Sequence, residues 1–341
     1  MRFASLRSLL LSLVIAIPFR AAAAEPPAID AEARSKIVAA TIREIRARYV
    51  FPEVAARIEE MLSKKARGGA YDAATTAPAL AAAVTADLLA VSHDKHLRLL
   101  FEPRTPEAAA APRAERVERF VRMLRGRNFG VARVERMPGN VGYLDLRTFE
   151  SPEYAGPTIV AAMNLLAYTD ALVIDLRKNT GGDEAMVTFL ASFFFDGSEP
   201  TRLSDLYQRE GEWSHQSWTT IWVPGAKFGG TKPVYILTGK TTFSAAEAFT
   251  YDLQSLKRAT IVGNRTGGGA NAGDEYRIDP LFTVWIPTSR AINPITHTNW
   301  EGVGVTPDVQ ASETDALDTA YRLALAKLGK PYPPASSEEE E

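Results

Sequence analysis

Residues 234–247 read Val-Tyr-Ile-Leu-Thr-Gly-Lys-Thr-Thr-Phe-Ser-Ala-Ala-Glu. An apolar run of β character ends at Thr238-Gly239, a short polar loop follows, and Ser244 opens a run with helical character. A serine at such a strand-to-helix turn exposes its hydroxyl beside the unpaired N–H groups of the first helical turn. Those groups are what acyl transfer needs to hold a developing oxyanion. The same spacing, Ser244-x-x-Glu247, is also a capping box, in which the serine caps the helix and the glutamate reaches back. The segment alone leaves both readings open.

Outward from it, strands and helices alternate. Residues 141–149, 171–176, 234–237 and 259–263 read as strands; 159–168 (begun near Ser151-Pro152), 185–195, 245–256 and 314–328 read as helices. This alternation predicts an α/β core with substantially parallel pairing over residues 129–330. Residues 198–230, with Tyr207, Trp213, Trp218, Trp222 and several glycines, read as an irregular excursion able to line a site. Before the core, residues 25–102 carry three amphipathic stripes: Val38, Ile42, Ile45 and Tyr49; Val54, Ile58 and Met61 after Pro52; Leu80, Val84 and Leu88. They predict a small all-helical domain. Residues 103–128 read as a Pro/Ala linker and a basic helix, and 331–341 as an acidic disordered tail.

The chain has 341 residues, 46% hydrophobic and 23% charged, enough for one large domain and a smaller one. A net charge of -2 gives no general attraction to nucleic acid or to an anionic membrane. At the N-terminus Arg2 and Arg7 precede an apolar run over 9–19, and Ala22-Ala23-Ala24 offers a cleavage site. Residues 1–24 therefore read as a signal peptide and the mature protein as exported, periplasmic or extracellular, and not membrane-spanning. There is no cysteine, hence no disulfide, thiol nucleophile or thiolate metal site.

Asp175-Leu-Arg-Lys-Asn-Thr-Gly181-Gly182 follows a strand and precedes a helix, and its paired glycines let the backbone turn tightly and approach a ligand. Neither a P-loop nor G-x-G-x-x-G is present, so no nucleotide cofactor is implied. Of the four histidines, His93, His96, His215 and His297, the pair His93-x-x-His96 lacks the carboxylates that would complete a metal site, and none is expected. His96 opens a short strand-like run where the helical region ends, and Glu301 lies between Trp300 and Gly302 in a glycine-punctuated loop.

Four segments occur in order: 175–182, then Thr242-Phe-Ser-Ala-Ala-Glu-Ala-Phe249, Gly263-Asn-Arg-Thr-Gly-Gly-Gly269 and Asn299-Trp-Glu-Gly-Val-Gly-Val-Thr-Pro-Asp308. Together with Asp94-Lys-His-Leu97, this series resembles the tail-specific, or C-terminal-processing, serine protease family. The similarity is greatest to the branch with interphotoreceptor retinoid-binding protein modules and the tricorn core. The resemblance spans residues 30–328 and implies a crotonase-like β/α core behind the helical domain. It implies Ser244 as nucleophile, His96 as general base, Glu301 as its orienter, and the N–H groups of Gly181 and Ala245 as oxyanion hole. Two features depart from the processing proteases. Gly269 stands where their dyad lysine follows Thr-x-Gly, and the stretch between Phe101 and Val141 is too short for their PDZ module. Lys95, where the family often has glycine, is a smaller departure. The activity implied is peptide-bond hydrolysis on peptides or unfolded polypeptide. A carrier of retinoid-like or fatty-acyl ligands and a non-peptide esterase are the alternatives on the same fold.

Overall fold

The computed structural model describes residues 27–103, 110–209 and 213–333. The segment read as an export signal, the centre of the linker and residues 334–341 of the acidic tail fall outside these residues, whereas Tyr332, read as part of the disordered tail, packs on Tyr321 and bonds Asp318. No helix among the described residues is long and apolar enough to cross a membrane.

The apolar run after residue 170 forms β4 (Ala171–Asp175), buried on both faces as a parallel strand between two helical layers must be. It sits in a six-stranded sheet ordered β11 (Val309–Gln310), β8 (Thr260–Gly263), β7 (Val234–Thr238), β4, β3 (Val141–Leu146) and β2 (Val131–Met137). All neighbours are parallel except β2 and β3. Because side chains alternate along a strand, the sheet feeds two cores. Leu172, Ile174, Ile236 and Ile261 pack with α5 (Pro152–Leu166), α6 (Glu184–Ala191) and α7 (Ala245–Ser255). Val141, Val173, Leu237 and Val262 pack against α8 (Ala316–Lys327). The α/β core is thus the one its alternating pattern predicts. The basic helix is α4 (Arg113–Gly126), of which only Leu124 is buried.

A second, antiparallel sheet orders β1 (Arg98–Phe101), β10 (Phe282–Ile292), β5 (Arg202–Gln208) and β6 (Trp213–Trp218), with β9 (Asn271–Arg277) also on β10. Residues 198–230 therefore hold a hairpin where the sequence suggests irregular chain. Pairing of β5 with the distant β10 stabilises it, and no local periodicity reveals that partner.

The three predicted N-terminal helices form: α1 (Ala31–Arg48), α2 (Pro52–Arg67) with Pro52 in its first turn, and α3 (Ala77–Ser92). Their stripes meet in one core containing Ile45, Ile58, Leu80 and Leu88. That core is completed by Leu97, Leu99, Phe282, Val284 and Ile286, so the helices bury their apolar faces on the second sheet.

Gly182 ties the β4 loop to the chain entering α5. Its φ is +141°, and a Cβ there would stand 2.1 Å from the carbonyl oxygen of Phe149. Phe149 meanwhile bonds Gly181 O through its N–H and the Asp183 N–H through its O. Gly182→Ala is expected to cost at least about 1–3 kcal/mol from backbone conformation alone. A lowered urea midpoint with unchanged slope is the readout.

Candidate active site

The turn after β7 is pinned before it reaches Ser244. Thr242 Oγ1 donates to Leu176 O at 2.7 Å, and Phe243 N–H donates to Asn179 O at 3.1 Å. Ser244 then adopts φ 54° and ψ −122°, a conformation L-residues rarely hold. A capping serine is normally extended. The glutamate half of the box is present, since Glu247 Oε2 accepts the Ser244 N–H at 2.9 Å. The backbone of Ser244, however, is that of a strained strand-to-helix elbow.

Glu247 is fully buried and does more than cap. Its carboxylate also accepts the N–H groups of Gly268 and Gly269, at 2.7 and 2.9 Å, and the Thr266 hydroxyl. This locks the loop 266–269 against the start of α7. The fit is close: a Cβ at Gly269 would lie 2.2 Å from Phe243 Cζ and 2.7 Å from His96 Cε1. The position where processing proteases carry a lysine has no room here for a side chain.

His96 reaches this loop from the turn between α3 and β1. Helix α3 ends at His93 in the left-handed conformation, and Asp94 then organises the turn. Asp94 Oδ1 accepts the His96 N–H at 2.9 Å, and Oδ2 accepts Asn271 Nδ2 at 2.9 Å and the Tyr49 hydroxyl at 3.2 Å. The imidazole stacks on Trp285, centroids 4.7 Å apart, and packs against Phe243, the residue before Ser244, at 4.5 Å. Burial, with Arg98 adding to it, lowers the imidazole pKa to about 4, so the ring is neutral at pH 7.

Glu301 meets it from the C-terminal loop. Glu301 Oε2 accepts the N–H groups of Ala270 and Asn271 at 2.5 and 3.1 Å. Burial, then the charge of Asp94, pushes its pKa up to about 7. Among the described residues, three buried polar atoms at this junction have no partner: His96 Nδ1, Glu301 Oε1 and Asn271 Oδ1. Asp94, His96 and Glu301 each bring one donor atom to within 4.8 Å of the others. Such a trio has the spacing of a metal site, but Asp94 and Glu301 Oε2 already accept five hydrogen bonds between them. What remains is one ring nitrogen with a carboxylate oxygen and the Asn271 amide oxygen as acceptors around it, a set suited to holding a proton on the ring.

The remaining sequence candidates lie beside Ser244. Ala245 begins α7, where the first N–H groups have no intrahelical acceptor. Gly181 is close enough that a Cβ on it would touch Ser244 Cβ at 2.7 Å, but its N–H donates to Asn179 Oδ1 at 2.9 Å. A cavity of about 80 Å³ opens next to Ser244, bordered by Gly182, Ala245, Ala248 and Trp300. The hairpin of the 198–230 segment contributes Leu206 and Ser217 to its wall. Sequence reasoning did not find Asn271, Tyr49 or Trp285, whose only signal is contact with residues far away in the chain.

The model of Peptidase family S41 matches residues 140–311, and that of the "N-terminal domain of Peptidase_S41 in eukaryotic IRBP" matches residues 31–128. Carboxyl-terminal-processing peptidase 2, chloroplastic, of Arabidopsis thaliana is 26% identical over 176 residues, covering 49% of this chain and 31% of that protein. The chain thus spans less than half the length of the curated relatives it matches. Among solved structures, a protein of Parabacteroides merdae superposes with TM-score 0.59 at 17% identity, covering 86% of this chain and 97% of that one. The tricorn protease superposes with TM-score 0.54 at 13% identity, covering 88% and 37%. The structural likenesses show a shared fold with a crotonase-like core, and the family models, covering both the helical region and most of the core, carry the assignment: this chain belongs to Peptidase family S41.

Proposed function

We propose that the protein is an exported serine peptidase that hydrolyses peptides or unfolded polypeptide through Ser244, His96 and Glu301. The observation that supports this reading is that His96 Nδ1 and Glu301 Oε1 are two of three unpartnered buried atoms at one junction, together with a serine held in a strained elbow. Burying two polar atoms without partners is costly unless a proton passes between them. With Nδ1–H donated to Glu301, the other ring nitrogen is left as acceptor toward Ser244. Ser244 Oγ attacks the scissile carbonyl and His96 takes its proton. The imidazolium, held by Glu301, then protonates the leaving amine. The acyl-enzyme is hydrolysed by water activated at the same imidazole. The Ala245 N–H holds the oxyanion together with the Gly181 N–H, which exchanges Asn179 Oδ1 for the more strongly charged acceptor.

Labelling with a fluorophosphonate probe tests the nucleophile. Peptide mapping is expected to find the adduct on Ser244; an unlabelled Ser244 in protein that cleaves peptides removes it from the mechanism.

The pH dependence follows from the two shifted groups. The active form has His96 neutral and Glu301 ionised. Because Glu301 titrates near 7 and His96 is already neutral there, kcat/KM should rise with pH through about 7. A single controlling proton makes it roughly a hundredfold lower at pH 5 than its plateau. A flat profile between pH 5 and 8 would contradict this assignment.

A further inference from the structure

The cavity beside Ser244 has one acidic end. Most of its wall is apolar, with Leu206, Ala248, Ala291 and Trp300 among the lining residues. At its far side α7 turns Asp252 inward, since residues 245, 248 and 252 share one helix face. Asp252 is 2% exposed, and its Oδ1 accepts Asn293 Nδ2 at 3.0 Å. Asn293 is fully used: its second amide proton goes to Leu203 O, and its Oδ1 accepts the N–H groups of Ile295 and Thr296. No hydrogen bond from a described residue reaches Asp252 Oδ2. Ser204, also lining the cavity, is 5% exposed, and its Oγ is buried without any partner. Glu184 adds a second carboxylate at the rim, where it accepts the Ser217 hydroxyl and pairs with His215 at 3.2 Å. Among the described residues, no lysine or arginine lines the cavity.

Burial first, then the charge of Glu184, pushes the Asp252 carboxyl well above its ordinary range, and a cationic donor at Oδ2 would offset that cost in a cavity that also holds the unsatisfied Ser204 hydroxyl. On the reading that Ser244 is the nucleophile, we infer that this cavity takes a basic side chain, lysine or arginine, on the acyl side of the scissile bond. The methylene stem lies along Ala248, Ala291 and Trp300. The cationic head donates to Asp252 Oδ2 and Ser204 Oγ within the field of Glu184.

Two measurements decide this. The first is independent of catalysis: calorimetric titration with n-butylammonium, the lysine side chain alone, against 1-butanol. Wild type is expected to bind the cation and not the alcohol, and Asp252→Asn, which can still accept from Asn293, is expected to lose that binding. The second compares peptides carrying lysine or norleucine before the scissile bond. The lysine-to-norleucine ratio of kcat/KM is expected to exceed unity and to fall by roughly a hundredfold in Asp252→Asn. No butylammonium binding, binding that survives in Asp252→Asn, or a wild-type preference for norleucine overturns the inference. If no peptide is cleaved and Ser244 escapes fluorophosphonate, the peptidase reading falls, and the titration still settles what the cavity binds.

Discussion

Ser244→Ala is expected to abolish peptide hydrolysis, lowering kcat by roughly 10³–10⁶-fold, with little change in melting temperature. The two readings of the serine differ sharply in this variant. A cap contributes about 0.5–2 kcal/mol of stability and nothing to rate. The Ser244 backbone lies outside the usual capping conformation, and the glutamate contact to its N–H does not depend on the side chain being removed. Thermal melts and single-turnover assays on one preparation separate the cases. A variant that melts several degrees earlier and still cleaves peptides would mean that the capping box is the whole explanation.

The second large effect is expected at Glu301. Glu301→Gln preserves shape but offers an amide where the imidazolium needs a carboxylate, and it can favour the wrong imidazole tautomer. A loss of about 10⁴-fold in kcat is expected, as for comparable orienting carboxylates. The sign of the stability change runs the other way. Glu301 has its folded pKa raised above the ordinary 4.5 to about 7, so its favourable contribution is complete below 4.5 and lost as pH rises through 7. At pH 8 the variant should therefore be no less stable than wild type. This substitution also separates a peptidase from a carrier. A loop carboxylate has no part in retaining an apolar chain, so fatty-acid affinity should not follow turnover. Unchanged turnover would leave Asp94 or Glu247 as the orienting group. Both of those already spend their oxygens on other donors.

The parallel core was legible because its signals are local. The apolar strand at 171–175 and the helices at 152–166 and 245–255 each announce themselves within one window of sequence. Ser244, Gly181 and Ala245 share that advantage, lying at turns defined by their neighbours. His96 and Glu301 were proposed through resemblance, since a lone histidine and a loop glutamate carry no periodicity. Their clamp was invisible. Trp285 stacks on His96 only because β1 pairs with β10, and Asn271 reaches Asp94 only after β9 joins the same sheet. The hairpin at 202–218 went unread for the same reason, its ladder partner being remote. Antiparallel strands with distant partners are where single-sequence periodicity fails.

The helical layer that finishes its core on β10 has a bearing on when the protein can act. On the proposed mechanism, the base is anchored in the first folding unit, the nucleophile in the second, and the orienting acid in the last loop before α8. A chain still emerging from its ribosome, or threading unfolded through a translocation pore, holds a serine with no base to activate it. Such a hydrolase is latent until nearly its whole length has come together.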